Sequence, residues 1–244
     1  MEIALLGGTG PTGRLVIAAA LRDGHRVRAL VRPPRPGSVA RALPLREGLE
    51  QRTGDATDPA AVSALVEGCD AAICLVGPVK ESAPDVCRLA ASALIAGARA
   101  TGLGRIVLVT GAMVGHPASH AHGLYRVVPA LLGAVREDRR ESERVVREGM
   151  RELGRPYVIV RPPRLDDGPT AGWVTIGPTI EIGTMDNIPR VDLAEVLLEA
   201  CTTGRWDGEE IGARTARQRE RGAEAHRLPF ARQRTDTARL PKRP

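Results

Sequence analysis

The sequence of 244 residues lacks any run of 18 apolar residues. A helix that spans a bilayer needs about 20 predominantly apolar residues, so we expect no membrane-crossing segment and no membrane partner. The first apolar segment begins almost at Met1 and leaves no room for a leader. We therefore expect no targeting segment and a cytoplasmic location.

The four cysteines form no CxxC pair and show no zinc-ligand spacing. Cys74 and Cys201 lie in apolar segments, which is typical of buried thiols in a reducing compartment. The histidines His116, His120 and His122 come close together, but proline and small residues separate them and no acidic residue adjoins them. We interpret this stretch as a polar loop and predict no metal site.

No Tyr-x-x-x-Lys pair occurs on a predicted helix. Tyr125 is followed four residues later by Pro129, and Tyr157 by Arg161 within an apolar segment that reads as a buried strand. We therefore predict no proton relay between a phenol and a lysine.

The formal net charge of +6 is concentrated in the C-terminal tail. Residues 213–244 contain ten Lys/Arg and three Asp/Glu, which leaves residues 1–212 with a net charge of −1. The main body thus has no global field for nucleic acid, and we do not expect a nucleic-acid partner. The tail is polar, Arg-rich and without a hydrophobic period, so we predict that residues 213–244 are disordered.

A glycine-rich stretch near the N-terminus organises the chain. The apolar run at residues 3–6 reads as a buried strand, and residues 14–21 have helical spacing. Between a strand and a helix, glycines permit a tight turn, close approach of backbone N–H groups to a diphosphate, and close packing of the helix on the sheet. We predict a dinucleotide site that includes Gly7, Thr9, Gly10, Pro11, Thr12 and Gly13.

Further apolar strands alternate with helices along residues 1–212. Continuous Val/Ile/Leu strands of this kind indicate a parallel sheet covered on both faces, and right-handed crossovers make it doubly wound. The sequence therefore predicts a single α/β domain of the Rossmann type, whose ligands bind at the carboxyl ends of the strands.

The second predicted strand ends at Arg32, with Arg35 three residues later. An NAD-specific site has Asp or Glu here for the ribose hydroxyls, whereas a guanidinium suits a 2′-phosphate. The sequence predicts NADP(H) as the cofactor; two solvated loop arginines are the alternative.

Residues after the next three strands complete the predicted site. Asp55 is a candidate acceptor for the adenine amino group, or else a turn aspartate. Thr110, after the fifth strand, either orients a polar atom of the substrate or reflects the β-propensity of threonine. The remaining candidate cofactor-binding residues here are Ala56, Val76, Gly77 and Pro78.

The glycine motif and the segments 157–169 and 190–208 resemble the atypical short-chain dehydrogenase/reductase group of NAD(P)H-binding, NmrA-like proteins. The nearest likeness is to the biliverdin-IXβ reductase/flavin reductase type. This resemblance implies a planar substrate stacked on the nicotinamide, with Pro162, Pro163 and Arg164 flanking it. Arg164 would stabilise developing negative charge. Gly111 and Arg164 replace a serine and a histidine of that type, which puts the substrate in question.

Three functions are compatible with these features. The first is an NADPH-dependent reductase of a flavin, a quinone or another small planar acceptor, in which the cofactor supplies the chemistry. The second is a non-catalytic NADP(H)-binding redox sensor, which the missing Tyr-Lys pair favours. The third is a tailoring reductase or epimerase of a specialised metabolite.

Overall fold

The computed structural model describes residues 1–33, 43–79, 82–115, 133–183, 185–220 and 225–228. Strands and helices alternate along most of this length. The helices are α1 (Pro11–Arg22), α2 (Pro59–Val66), α3 (Val86–Thr101), α4 (Ala112–Gly115), α5 (Gly133–Glu152) and α6 (Arg190–Thr202). The strands are β1 (Glu2–Leu6), β2 (Arg26–Val31), β3 (Leu49–Thr53), β4 (Ala71–Cys74), β5 (Arg105–Val109), β6 (Tyr157–Arg161), β7 (Arg164–Asp166), β8 (Trp173–Gly177), β9 (Asn187–Pro189), β10 (Glu210–Thr215) and β11 (His226–Arg227).

Nine of these strands form one sheet, in the order β3, β2, β1, β4, β5, β6, β10, β8, β11. The strands from β3 to β10 in this order are parallel, whereas β8 pairs antiparallel with β10 and β11 pairs antiparallel with β8. The strand order reverses at β1, which lies between β2 and β4. The predicted doubly wound α/β fold is therefore confirmed, with an antiparallel extension at one edge.

The apolar strands alternate their side chains between two cores, as β1 illustrates. Ile3 and Leu5 face the core under α1 and α6, and Ala4 and Leu6 face the core under α2, α3 and α5. All four side chains are fully buried. Because both faces of the sheet are covered, the polar groups that can reach a ligand are concentrated at the strand ends.

The start of α2 shows how local sequence begins a helix. Asp58 accepts a hydrogen bond from the backbone N–H of Ala60 at 2.9 Å and so caps α2, with Pro59 at its first position. The charged helix α5 begins at Gly133. None of the described helices is long and apolar enough to span a membrane.

The predicted boundary between the domain and a disordered tail at residue 212 is too early. Strand β10 continues to Thr215, and β11 adds a further pair of residues to the sheet. Arg214 helps to hold these tail residues in the fold because it forms an ion pair with a buried carboxylate. The local sequence pattern did not predict this pair. Residues 229–244 of the predicted tail lie outside the described residues.

Glu220 holds the residues after β10 against the sheet. Its carboxylate accepts hydrogen bonds from both Arg214 Nη atoms, at 2.8 and 2.7 Å, and from Thr175 Oγ1 at 2.9 Å. Arg214 and Glu220 are both buried. The hydrogen bond from Arg214 lowers the pKa of Glu220 to about 2.

We expect the Glu220 carboxylate to make folding stability fall as the pH becomes acidic. Because the pKa of Glu220 is lower in the folded state than its ordinary value of 4.5, its contribution is complete above pH 4.5 and is lost as the pH falls toward about 2. In urea unfolding between pH 7 and 2, Glu220→Gln should lower stability at pH 7 and flatten the acid limb. The exposed Glu209→Gln is the matched control. An acid limb as steep as that of the wild type would contradict this role.

Candidate functional site

A cleft of about 280 Å³ opens at the carboxyl ends of β1 to β4. It lies where the strand order reverses, which is the position at which open α/β sheets bind their ligands. Its walls combine the predicted glycine turn, the residues after β2, β3 and β4, and the start of α3. The lining residues are Gly7, Thr9, Gly10, Leu30, Arg32, Gly54, Asp55, Ala56, Thr57, Leu75, Val76, Gly77, Val79, Ser82, Ala83, Val86 and Leu89.

The turn after β1 leaves no space for side chains at two of its glycines. Gly7 has a φ of +86°, and a Cβ atom there would lie 2.9 Å from the carbonyl oxygen of Leu75. A Cβ atom on Gly13 would lie 2.4 Å from the carbonyl oxygen of Gly7. Both atoms in the way belong to the backbone, so the tight contact between α1 and the turn requires glycine.

The first turn of α1 offers backbone donors to an anion. Gly10 is the N-terminal cap residue, and Pro11 at the first helical position carries no N–H group. The N–H groups of Thr12 and Gly13 come next, where a helix has no internal acceptor for them. None of the residues Pro11, Thr12 and Gly13 is among those that line the cleft. Pro11 is exposed, whereas Thr12 and Gly13 are buried. Any contribution of these residues to diphosphate binding is therefore made by the backbone.

Arg32 lines the cleft directly after β2, as the sequence predicts. Its side chain is exposed, and the residue occupies the position at which an acidic side chain would select NAD(H). Its predicted companion Arg35 lies outside the described residues.

Asp55 lies in the cleft and also forms a turn, which are the two settings that the sequence predicts for it. It lines the cleft, and its Oδ1 accepts hydrogen bonds from the N–H of Thr57 at 2.9 Å and from Thr57 Oγ1 at 2.8 Å. These bonds form a turn that leads into α2. Ala56 also lines the cleft, and an adenine contact of Asp55 and Ala56 stays a prediction.

Val76 and Gly77 line the cleft after β4, whereas Pro78 is exposed and does not. The cleft also has apolar lining residues that the sequence did not single out, namely Leu30, Val86 and Leu89. Val86 and Leu89 are spaced by three on the first turn of α3, and this spacing is the signal that a helical face meets the cleft.

Thr110 lies at the end of β5, but its hydroxyl faces a buried carboxylate. Thr110 Oγ1 donates a hydrogen bond of 2.6 Å to Glu143 Oε1 on α5, and Glu143 is 1% exposed. The same carboxylate is bound by Arg161 Nε at 3.0 Å and Arg161 Nη2 at 2.6 Å. The hydroxyl that was predicted to orient a substrate atom is thus engaged within the protein, and Thr110 is not among the cleft residues.

Arg161 extends this network to the far strand of the parallel sheet. Its Nη2 atom also donates to Glu210 Oε2 at 2.6 Å, and Arg147 on α5 holds the other oxygen of Glu210. Burial lowers the pKa of Arg161, but the two carboxylates outweigh this effect and raise it overall. The pKa of Glu210 is lowered, because its arginine partners outweigh the effect of burial. The charges bind one another, which identifies this network as a structural one that joins β5, β6, β10 and α5.

The two prolines after β6 are buried and lie outside the cleft lining. The carbonyl of Pro162 accepts a hydrogen bond of 2.8 Å from the N–H of Ala112, so the chain after β6 is bound to the chain after β5. Arg164 is exposed on β7, beside Asn187 of β9. The predicted roles of Pro162, Pro163 and Arg164 at the nicotinamide stay predictions.

No group of three or more potential metal ligands comes together within the part of the chain that the structure describes. His116, His120 and His122 lie outside it. The four cysteines are buried and unpaired, and burial raises the pKa of Cys74 to about 11 and that of Cys87 to about 12. Such thiols are poor nucleophiles at neutral pH.

The turn, the strand order and the cleft can now be compared with known proteins. A protein family described as NAD(P)H-binding matches residues 7–203. The chain belongs to this NAD(P)H-binding family. The predicted membership of an NAD(P)H-binding group is thereby confirmed.

Individual relatives are distant. The isoflavone reductase homolog IRL of Zea mays is 37% identical over 83 residues, which are 32% of this chain and 27% of that protein. The anaerobillin reductase ChuY of Escherichia coli O157:H7 has a TM-score of 0.68 at 21% identity, over 87% of this chain and 96% of that chain. A wide-type short-chain dehydrogenase/reductase of Veillonella parvula DSM 2008, solved in complex with NADP, has a TM-score of 0.67 at 16% identity, over 87% and 93%. The two structures share the fold of this chain.

The contact between Gly13 and Gly7 provides a test of the family's dinucleotide cradle in this chain. Gly13→Ala places a Cβ atom against a backbone carbonyl, so we expect stability to fall by about 1–3 kcal/mol and NADPH affinity by about tenfold or more. Nucleotide fluorescence titration and urea unfolding measure the two effects. Gly133→Ala is the matched control, since a Cβ atom there has no neighbour within 4 Å. Unchanged NADPH affinity in the Gly13 variant would show that the turn is not the cradle.

Proposed function

We propose that this protein is an NADPH-dependent reductase that transfers a hydride to a flavin, a quinone or another small planar acceptor. The observation that carries the proposal is the cleft at the reversal of the strand order, with Arg32 at the end of β2 and no acidic residue there. When bound, NADPH supplies the hydride, and the protein binds and orients the two partners.

The residues present fit a phosphorylated dinucleotide. The cradle that a Cβ atom would fill and the N–H groups of Thr12 and Gly13 suit a diphosphate. Arg32 presents a planar, forked set of donors for a further phosphate at the exposed rim of the cleft. The apolar lining residues Leu30, Val86 and Leu89 offer contacts for flat rings.

The missing Tyr-Lys pair agrees with an acceptor that needs little help with protons. A flavin or quinone accepts a hydride into a conjugated system, and we propose that the proton then comes from water. Thr110, whose hydroxyl is bound to Glu143, has no part in this step. Arg164, exposed on β7, remains the candidate for stabilising the negative charge that develops on the acceptor.

We expect purified protein to oxidise NADPH in the presence of FMN or a soluble quinone, and much more slowly without an acceptor. Loss of the reduced nicotinamide absorbance under anaerobic conditions measures this rate. NADPH binding without turnover of any flavin or quinone would overturn the reductase proposal. It would instead support the second candidate, a redox sensor that binds NADP(H) without catalysis, which the missing Tyr-Lys pair also favours.

The preference for the phosphorylated dinucleotide is expected to depend on Arg32. Arg32→Asp removes a charged hydrogen-bond donor and adds a repulsive charge, so the affinity for NADPH relative to NADH should fall by about tenfold to a hundredfold. Calorimetric titration with both dinucleotides measures the ratio. Arg26→Gln, at the opposite end of β2, is the matched control. A ratio that survives Arg32→Asp would remove the basis for NADPH.

A further inference from the structure

A second arginine, Arg139, lies at the carboxyl ends of the strands. It belongs to α5, and its guanidinium lies beside the glycines that follow β4 and β5. A Cβ atom on Gly111 would be 2.9 Å from Arg139 Nη1, and one on Gly77 would be 4.0 Å from Arg139 Nη2. Gly77 is itself a cleft residue. The guanidinium therefore borders the cleft, in space that the glycine at position 111 leaves open.

No carboxylate in the part of the chain that the structure describes neutralises the charge of Arg139. Among the residues that the structure describes, none forms a hydrogen bond or an ion pair with its guanidinium. One turn earlier on the same face of α5, the buried Nε atom of Arg136 also has no hydrogen-bond partner in this part of the chain.

The backbone on both sides of Arg139 is fixed by its neighbours. Asp138 is buried and accepts hydrogen bonds from the N–H groups of Cys87 and Arg88, at 2.9 and 2.8 Å. Glu143, one turn later, has its carboxylate occupied by Thr110 and Arg161. The carboxylates of Asp138 and Glu143 on α5 therefore bind other groups, and these bonds also hold the helix in place. Arg139 is thus a positioned cation for which the described ranges supply no counter-ion.

The position of Arg139 points to the hydride acceptor rather than to the diphosphate. Gly111 follows β5, which is two strands away from β1 in the sheet. Adjacent strands are separated by nearly 5 Å, so the guanidinium lies about 10 Å along the sheet edge from the glycine turn. In doubly wound sheets this half of the edge receives the nicotinamide end of the dinucleotide and the second substrate.

We propose that Arg139 is a specificity-determining residue that binds a carboxylate or phosphate of the acceptor, so that the protein prefers an anionic acceptor. This inference rests on the proposed reductase function and names the substrate class. A guanidinium binds either oxyanion through two parallel hydrogen bonds, and it cannot lose its charge at any physiological pH. Arg136, one turn earlier on α5, adds positive potential next to Arg139.

FMN and riboflavin are a matched pair of probes, because they share the same ring system and differ by one phosphate. We titrate each into protein saturated with NADP+, which binds without reducing them, and follow the flavin fluorescence. Wild-type protein should bind FMN about tenfold to a hundredfold more tightly than riboflavin. Arg139→Gln should abolish this preference by weakening FMN alone, and Arg139→Lys should retain part of it.

Two further variants separate a local role from a general loss of charge. Arg140→Gln removes an exposed neighbouring arginine and should leave the preference unchanged. Gly111→Ala keeps the charge but crowds Nη1, so it should reduce the preference even if the Arg139 variants fold poorly. Equal binding of the two flavins by the wild type, or a preference that persists in both Arg139→Gln and Gly111→Ala, would overturn the proposal.

The binding titration also separates this inference from the reductase proposal. An Arg139-dependent preference for FMN without NADPH oxidation would retain the anion site and reject the hydride transfer. NADPH oxidation with a preference that Arg139→Gln does not alter would retain the reductase and reject the anion site. A weakened affinity for NADPH in Arg139→Gln would assign the residue to the dinucleotide and would equally reject the anion site.

Discussion

The close contact between the turn after β1 and the first turn of α1 is the constraint on which the rest of the molecule depends. Because the Gly13 Cα lies so near the Gly7 carbonyl, α1 starts directly at the strand end and points its N-terminus across the edge of the sheet. That placement creates the cleft at the reversal of the strand order. It also supplies backbone donors at a point where a bound anion would face both the N-terminus of a helix and the sheet edge.

Charge is distributed unequally along that edge. The arginines near the end of β6 and at the start of the antiparallel extension are paired with buried glutamates, and these pairs join strands to helices. Arg32 and Arg139 differ, because they border the cleft and form no ion pair with any residue in the described ranges. Buried pairs of this kind support structure, whereas a cation that borders a cleft without a counter-ion is suited to an external anion. The two ends of the cleft therefore suit a dinucleotide phosphate and an anionic acceptor.

Most of the backbone part of the site could be predicted from sequence, because it depends on residues that are neighbours along the chain. Strand ends follow from apolar runs, and residues after them such as Arg32, Asp55 and Gly77 reach the same edge in any doubly wound sheet. The apolar lining residues on α3 were missed, since their direction depends on how that helix packs against the sheet. The hydrogen bond between Thr110 and Glu143 could not be predicted for a related reason: the two residues are distant in sequence.

By itself the sequence determined the glycine turn, the alternation of buried strands with helices and the identity of the residue that ends β2. Local sterics and hydrophobic periodicity are enough for these features, because each is settled within a few residues of chain. Only the tertiary structure decided which charges are neutralised. Arg214 finds Glu220 and becomes part of the sheet, and Arg161 finds Glu143, while Arg139 comes to lie beside Gly111. Long side chains meet partners from remote elements, and the packing of those elements selects the pairs.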